Sequence, residues 1–228
     1  MSYNNGPKIV TDSLILCVDA GNPKSYPGTG TTWTDLSSIG NNMTLLDGNT
    51  FTTNNGGGIE SNGDSDGNIY RTNTSSLSSF VYATGFTISM WHQSSSYSDY
   101  AMLCSKVSSD NWDDGFGMFY ESGDVKAFVR DYTIAVSFGA FTSSITNWCF
   151  TYASGVTRVF KDGRLVNSGT NTVLSNPFNI NASLTVNNSS TGNYPLNATI
   201  YNFTVYNKAL SAVEVLQNYN ALKGRFGQ

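Results

Sequence analysis

Acidic side chains are the first candidates for chemistry in this chain, because a pair of carboxylates can cleave a glycosidic bond. Retaining glycosidases hold two carboxyl groups about 5–5.5 Å apart, and one of them donates a proton. The chain has three glutamates, Glu60, Glu121 and Glu214, and none of them has another acid two residues away. A paired-acid site is therefore not predicted, and a glycoside hydrolase remains only as an alternative.

The single histidine, His92, is the only residue able to act as the base of a histidine-dependent triad. It alternates with Phe86, Ile88 and Met90 along a predicted strand. Alternate residues of a strand share one face, so this histidine is expected on the apolar side. We predict a buried histidine and a protein that is not an enzyme.

Two aspartate-rich loops offer the hard oxygen ligands that Ca²⁺ prefers. The first loop contains Asp64 and Asp66, and the second contains Asp110, Asp113 and Asp114. Both loops also suit ordinary turns, in which an aspartate side chain bonds its own backbone. Both interpretations stay open here, and calcium is the only candidate cofactor.

Aromatic side chains near polar loops are candidates for holding sugars, because the C–H face of a pyranose stacks on a ring. The candidates are Trp91, Trp112, Tyr97, Tyr100 and Tyr132. The alternative is that these rings form core or a protein contact, where Tyr and Trp are also abundant. Trp33 and Trp148 are expected to pack inside.

The composition limits the classes of partner. Only 12% of the 228 residues are charged, and the net charge is −4 with a pI near 4.8. Such a chain has no basic stripe that could release counterions from a phosphate backbone, so no nucleic-acid partner is expected. No apolar run approaches the length of a membrane span, and the first residues do not resemble a signal peptide, so no membrane insertion is expected.

The three cysteines lie in separate apolar, strand-like runs. Cys17, Cys104 and Cys149 show no C-x-x-C spacing, and an odd count in strands does not suit a disulfide framework. We predict buried free thiols, which indicate folding in a reducing cytoplasm.

The elements that must position these residues are strands. The predicted strands span 12–19, 86–93, 100–107, 115–122, 125–130, 156–161, 164–167, 183–188 and 198–206. Asp162-Gly163 is a typical two-residue type I′ hairpin turn. Turns recur every 8–12 residues without intervening helices, which predicts an all-β, antiparallel two-sheet sandwich. We assign residues 1–11 to an N-terminal extension and 12–228 to one domain.

One helix is predicted, at the C-terminal end. Ser211 and Glu214 have the S-x-x-E spacing of a capping box, and Leu210 and Val215 occupy the staple positions around it. We expect the helix to pack against another surface through the stripe Val213, Leu216, Tyr219 and Leu222. Gly224 is expected to end the helix in the left-handed conformation.

Four segments in order resemble laminin-G-like jelly rolls of the concanavalin A-like lectin/glucanase superfamily over about residues 12–224. They are Phe86-Thr-Ile-Ser-Met-Trp, Asn147-Trp-Cys-Phe-Thr-Tyr, the hairpin from Arg158 to Val166, and Tyr206-Asn-Lys-Ala-Leu-Ser. The resemblance implies a jelly roll and, in many members, a Ca²⁺ site at the sandwich rim. Superfamily enzymes carry alternating acids of the E-x-D-x-E type on one strand, a pattern that this chain lacks.

The segments Leu16–Tyr26 and Gln217–Gly227 resemble a subgroup found among tailed-phage virion proteins. That resemblance implies a non-enzymatic adhesion module on a virion surface, either a capsid decoration or a tail- or fibre-associated protein. It would be made in the host cytoplasm and released by lysis. The expected partners are other virion proteins and, as a candidate second class, host-surface or environmental glycans. The alternative is a soluble carbohydrate-binding lectin.

Overall fold

The computed structural model describes residues 7–46, 48–64, 69–71, 74–79, 85–171 and 181–228. Asp66, a candidate calcium ligand, lies outside these described residues. The strands, in chain order, are β1 (Leu14–Asp19), β2 (Thr32–Trp33), β3 (Met43–Leu45), β4 (Asn49–Thr52), β5 (Gly58–Asn62), β6 (Ile69–Arg71), β7 (Phe86–Gln93), β8 (Met102–Lys106), β9 (Phe116–Glu121), β10 (Asp124–Val129), β11 (Val136–Ala140), β12 (Thr146–Ala153), β13 (Val156–Lys161), β14 (Arg164–Thr170), β15 (Leu184–Val186) and β16 (Asn197–Tyr206). The helices are α1 (Ser75–Ser79) and α2 (Ala212–Leu222), and a 3-10 turn at Lys223–Phe226 continues α2.

Within the described residues, the strands form two antiparallel sheets of eight strands each. The first sheet has the order β14-β13-β12-β7-β16-β5-β4, and β1 pairs with β16. The second sheet has the order β11-β10-β9-β8-β15-β6-β3-β2. Short strands β2 to β5 occupy a stretch that the sequence analysis left without assigned strands. They were missed because each is short and lies among Gly, Asn and Pro residues that are typical of turns.

The main core lies between the two sheets, because alternate residues of each strand point to the same side of its sheet. Strand β7 begins and ends where the sequence predicts, and its Phe86, Ile88 and Met90 are fully buried. Trp33 and Trp148 are also buried in this core, as predicted. Each fully buried large apolar side chain contributes about 1.5–3 kcal/mol.

The β13–β14 hairpin has the predicted turn. Asp162 and Gly163 have φ values of 50° and 75°, the two positive angles that a type I′ turn requires. A Cβ at Gly163 would lie 2.8 Å from the Cβ of Tyr219 on α2. Glycine at this position therefore allows both the turn and the close approach of the helix.

Helix α2 starts with the predicted capping box. The Glu214 N–H donates to Ser211 Oγ at 3.3 Å, and the Ser211 N–H donates to Glu214 Oε2 at 2.8 Å. The staple residues Leu210 and Val215 are both buried in one apolar cluster. Capping therefore orients the helix onto the outer face of the first sheet.

The predicted docking stripe is wrong in part, because Val213 and Leu216 are 76% and 42% exposed. The buried face instead carries Val215 and Asn218. Gly224 also does not close the helix: the chain continues into a 3-10 turn, and Gly227 takes the left-handed conformation with φ 69°.

Asn218 is buried although it is polar, because its amide joins a closed hydrogen-bond ring. Its Oδ1 accepts from the Val10 N–H at 2.8 Å, and its Nδ2 donates to the Tyr206 hydroxyl at 3.0 Å. That hydroxyl donates to the Val10 carbonyl at 3.0 Å. Val10, which the sequence analysis assigned to an extension, is therefore anchored between the helix and the first sheet.

All three cysteines are buried free thiols, as predicted. Burial raises the pKa of each of them to about 12. In the part of the chain that the structure describes, no helix is long and apolar enough to cross a membrane.

Candidate functional site

Trp91, a candidate sugar platform, lies on the outer face of the first sheet and is only 1% exposed. Tyr219 stacks on it with ring centroids 5.4 Å apart, and Phe226 stacks on it at 4.4 Å. Both rings belong to α2 and the turn that follows it. The structure therefore places this tryptophan in a packed contact, the alternative that the sequence analysis kept open.

Arg225 fastens the end of the chain over this face. Its Nη1 lies 2.6 Å from Asp19 Oδ1 in an ion pair, its Nε donates to the Asn55 carbonyl at 2.9 Å, and its Nη2 donates to the Gly57 carbonyl. These contacts join the terminal turn to residues 19 and 55–57. The covering of Trp91 is consequently held at several points.

A polar groove of about 740 Å³ lies on the same face of the first sheet, beside the terminal segment. Thr50, Glu60, Thr199 and Gln93 line it, and they are successive cross-strand neighbours on β4, β5, β16 and β7. Glu60 is the only carboxylate among its described lining residues. Among the residues that the structure describes, the groove thus has no second acid for paired-carboxylate chemistry.

The outer face of the second sheet carries its own aromatic residues. Phe119 and Phe128 point away from the main core and belong to a separate buried cluster. A Cβ at Gly117 would lie 2.6 Å from the Phe128 ring, so glycine there makes room for that ring. Two large apolar side chains on an outer face need a cover, and the loop 107–115 supplies it.

Trp112 is the residue of this loop that covers the phenylalanines. Its ring stacks on Phe128 at 5.7 Å and meets Phe119 edge-on at 5.3 Å, and it is 3% exposed. The loop is shaped by Asp114, which accepts from the N–H and the hydroxyl of Ser108. Trp112 itself adopts a φ of 51°, in the left-handed region that non-glycine residues seldom occupy.

Three tyrosines stand around Trp112 and leave a concavity of about 230 Å³, which we call the Trp112 cup. Tyr100, Tyr132 and Tyr194 lie 5.9, 5.5 and 4.8 Å from the Trp112 ring centroid. Their planes are inclined to it by 66°, 76° and 77°. The tyrosines therefore form walls and the tryptophan forms the floor.

Asp110 completes the lining of the cup. Its Oδ1 accepts from the Thr191 hydroxyl, and its Oδ2 accepts from Asn193 Nδ2 at 2.6 Å. These bonds tie the loop 107–115 to the loop that carries Tyr194. The three ionisable residues of the cup that the sequence predicts for glycans or calcium, Tyr100, Tyr132 and Asp110, are thus brought together with Trp112.

Tyr194 was missed by the sequence analysis, because it lies about 80 positions from Trp112 and only the fold brings the two loops together. Its position in a polar loop between strands β15 and β16 was the available signal. Tyr97, by contrast, is a predicted glycan residue that the structure places elsewhere. It stacks on Tyr120 at 4.8 Å and packs against the main core.

The four candidate calcium ligands that the structure describes do not gather into one set. Asp64 accepts from Asn62 Nδ2 at 2.6 Å in a turn of its own, and Asp113 is exposed. Asp110 and Asp114 are engaged by the partners given above. Among the described residues, no group of three His, Cys, Asp or Glu side chains is close enough to hold a metal ion. Calcium binding thus stays a prediction without a ligand set.

The glutamates and the histidine are dispersed. Glu121 on β9 pairs with Lys126 at 2.6 Å, Glu214 caps α2, and Glu60 lies in the groove. His92 is 2% exposed, as predicted, and burial lowers its pKa to about 3. Its Nε2 has no hydrogen-bond partner among the described residues. A neutral, enclosed imidazole of this kind is not placed to accept a proton from a substrate.

The two-sheet sandwich has the fold of a lectin-like domain. A family model described as concanavalin A-like lectin/glucanases superfamily, of laminin G type, matches residues 66–216. The chain therefore belongs to this superfamily, and the predicted jelly-roll sandwich with one C-terminal helix is confirmed. A comparison with curated protein sequences finds no significant match.

Solved structures of similar shape include binding domains of toxins and a sialidase. The binding domain of Paraclostridial Mosquitocidal Protein 1 aligns with a TM-score of 0.69 and 15% identity over 92% of this chain and 52% of its own. The binding domain of botulinum neurotoxin DC, in complex with rat synaptotagmin II, aligns with a TM-score of 0.69 and 14% identity over 93% of this chain and 52% of its own. Trypanosoma rangeli sialidase aligns with a TM-score of 0.70 and 14% identity over 95% of this chain and 34% of its own.

These identities establish a shared fold and no more. The chain spans about half the length of the toxin binding domains and about a third of the sialidase. Because an enzyme occurs among these similar structures, the absence of catalytic activity in this chain stays a prediction.

Proposed function

We propose that this protein is a non-catalytic binding module that holds a saccharide in the Trp112 cup. The observation that carries the proposal is the convergence of four aromatic rings and a carboxylate around one concavity. Support also comes from the fold, which this chain shares with binding domains of toxins.

The cup has the size and the surface for a single sugar ring. Its volume of about 230 Å³ is below the ~300–1,000 Å³ of pockets for drug-sized ligands. Tyr100 is 40% exposed, so one wall is available for stacking. Asp110 and Asn193 stand beside the rings with polar atoms that suit sugar hydroxyls. Apolar walls with a few fixed polar groups are typical of ligand sites.

A glycan array tests this proposal. The unmodified chain is expected to retain a defined set of glycans, and Tyr100→Ala is expected to lose most of that signal. Tyr97→Ala is the matched control, since it removes a tyrosine that lies outside the cup. Retention of no glycan, or equal signals from both variants, would contradict the proposal.

We also propose that the module sits on a phage particle, where it docks onto other virion proteins and meets host-surface or environmental glycans. The resemblance of both ends of the chain to virion proteins supports this location. A surface with few charges and many Asn, Ser, Thr and Tyr residues suits dense assembly. Synthesis in the host cytoplasm and release by lysis would keep the three buried thiols reduced.

Mass spectrometry of purified particles distinguishes this location from that of a soluble lectin. A virion protein is expected in several copies per particle and to resist washing. Presence only in the soluble fraction of the lysate would leave the lectin as the function. Hydrolysis of a polysaccharide by the purified chain would instead support the glycoside hydrolase alternative.

A further inference from the structure

The Trp112 cup is walled by rings on several sides. Tyr100, Tyr132 and Tyr194 are each inclined by more than 60° to the floor ring. Phe128 fixes that floor from within the cluster by stacking at an interplanar angle of 12°. An arrangement of three walls and a floor encloses a compact group better than it supports a flat one.

Aromatic rings attract cations because the face of each ring carries partial negative charge. Cages of several rings are the usual protein sites for quaternary ammonium groups, whose methyl groups also bury apolar surface. A neutral sugar ring uses only one or two faces of such a cage. Trp112 is 3% exposed, so the three tyrosines supply most of the accessible ring surface, and their number favours a positively charged organic group.

A carboxylate lies at the same place. Asp110 is held by Thr191 and Asn193, two neutral donors. None of the salt bridges among the described residues involves Asp110, so its negative charge is not neutralised by a lysine or arginine pair. Asp110 is exposed, so water solvates its charge in the free protein, and a ligand cation in the cup would add an ion pair.

The wider surroundings are negative as well. The pKa of Tyr100 is raised, first by the charge of Glu121 and its hydrogen bond, and further by Asp99. Burial raises the pKa of Tyr194, and the charge of Asp110 adds to this effect. Of these carboxylates, Glu121 is paired with Lys126 at 2.6 Å, whereas Asp99 and Asp110 form no ion pair among the described residues. An anionic saccharide would be repelled there, whereas a cation would be attracted.

We propose that the Trp112 cup recognises an organic ammonium group, carried either by an N-methylated head group or by an amino sugar. This inference uses the cup of the proposed function and names the chemistry of its ligand. Ca²⁺ does not fit the same place, since it takes about 6–8 oxygen ligands and the cup lining offers one carboxylate among rings.

Calorimetric titration of the full chain with two matched ligand pairs tests the inference. The first pair is choline and dimethylbutanol, its uncharged carbon isostere. The second pair is glucosamine, held below its amine pKa, and N-acetylglucosamine, which is neutral. The charged member of at least one pair is expected to bind tenfold or more tightly than its neutral counterpart. The pair that shows the difference identifies the source of the ammonium group.

Two substitutions separate the charge of Asp110 from its place in the structure. Asp110→Asn keeps the size of the side chain, and its amide can accept from Asn193 while it donates to the Thr191 hydroxyl. It is expected to weaken binding of the charged ligand about tenfold, with little change for the neutral one. Asp113 is exposed like Asp110 but lies outside the cup, so Asp113→Asn removes the same charge and is expected to change the affinity for neither ligand. Tyr100→Phe is expected to keep the cation, whereas Tyr100→Ala is expected to lose it.

Equal affinities within both pairs would overturn the inference, as would an equal loss for charged and neutral ligands in Asp110→Asn. Neutral glycans bound in the cup without any preference for ammonium would leave the proposed function standing and remove only this inference. Binding of an ammonium ligand without any retained glycan would leave this inference standing and contradict the proposed function.

Discussion

Trp91 and Trp112 lie on opposite outer faces of the sandwich, and each accompanies aromatic residues that point away from the main core. On the first sheet, α2 and its terminal turn lie over Trp91, and Tyr219 and Phe226 stack directly on it. On the second sheet, a loop covers the outward phenylalanines, and Trp112 is part of that cover. The difference is that the second cover leaves a concavity of about 230 Å³.

The comparison shows that an outward aromatic residue contributes to stability or to binding depending on what covers it. On the first face, a capped helix with an arginine anchor covers Trp91 and leaves its ring buried. A loop held by aspartate hydrogen bonds leaves space between its rings on the other face. Substitutions on the first face should therefore reduce stability, and substitutions on the second should reduce ligand affinity.

The largest effect is expected from Trp91→Ala. The change removes a fully buried ring and its stacking partners, which typically costs about 3–5 kcal/mol of the free energy of unfolding. Denaturant titration measures this loss. A cost below about 1 kcal/mol would show that the helix is not firmly docked on this face.

The next effect concerns His92, which follows Trp91 on the same strand and points into the core. Burial lowers its pKa to about 3 from the ordinary value of 6.5. Between these values the unfolded chain binds one more proton, so stability is complete above pH 6.5 and falls as the pH is lowered. The slope is about 1.4 kcal/mol per pH unit, or about 2 kcal/mol between pH 6.5 and 5.

Denaturant titrations at several pH values check this expectation, and the assignment is direct because the chain has one histidine. His92→Leu should flatten the dependence of stability on pH between pH 5 and 6.5. An unchanged slope in that variant would assign the dependence to other groups.

A smaller loss of stability is expected from Phe226→Ala. Phe226 is partly buried and makes two ring contacts, with Trp91 at 4.4 Å and Tyr201 at 5.2 Å. Such contacts contribute about 0.5–1.5 kcal/mol each. Uncovering Trp91 should also shift tryptophan fluorescence to longer wavelength. A stability loss without that shift would mean that the tail still covers the ring.

The smallest change in stability is expected from Tyr100→Ala, within about 1 kcal/mol, because its side chain is 40% exposed. The same substitution should nevertheless remove ligand binding at the cup. Combined denaturant and binding titrations on one preparation check both parts. Large destabilisation would show that the wall of the cup is part of the core.

Local patterns in the sequence predicted those elements whose signals lie close together along the chain. Strand β7, the Asp162-Gly163 turn and the Ser211–Glu214 capping box appear where they were expected. Each depends on alternation, on two positive φ angles or on a three-residue spacing, and these are properties of short segments. The buried state of the three cysteines followed from the same local reasoning.

The cup residues were only partly predictable. Trp112, Tyr100 and Tyr132 were recognised as aromatic residues in polar loops, but no local signal separated them from Tyr97 or Trp91. Tyr194 joins the cup only because the second sheet brings its loop beside the loop 107–115. The docking face of α2 was misjudged for a related reason. A polar residue, Asn218, is buried there by partners at Val10 and Tyr206.

The sequence by itself determined the two-sheet architecture, the hairpin and the start of the terminal helix, because backbone geometry and alternation act over a few residues. Only the tertiary structure decided which outward aromatic residues are closed off and which surround a cavity. That outcome depends on contacts between segments far apart in the chain, such as Phe226 with Trp91 and Tyr194 with Trp112. Whether a residue is buried depends on the segment that packs over it, and the tertiary structure determines which segment that is.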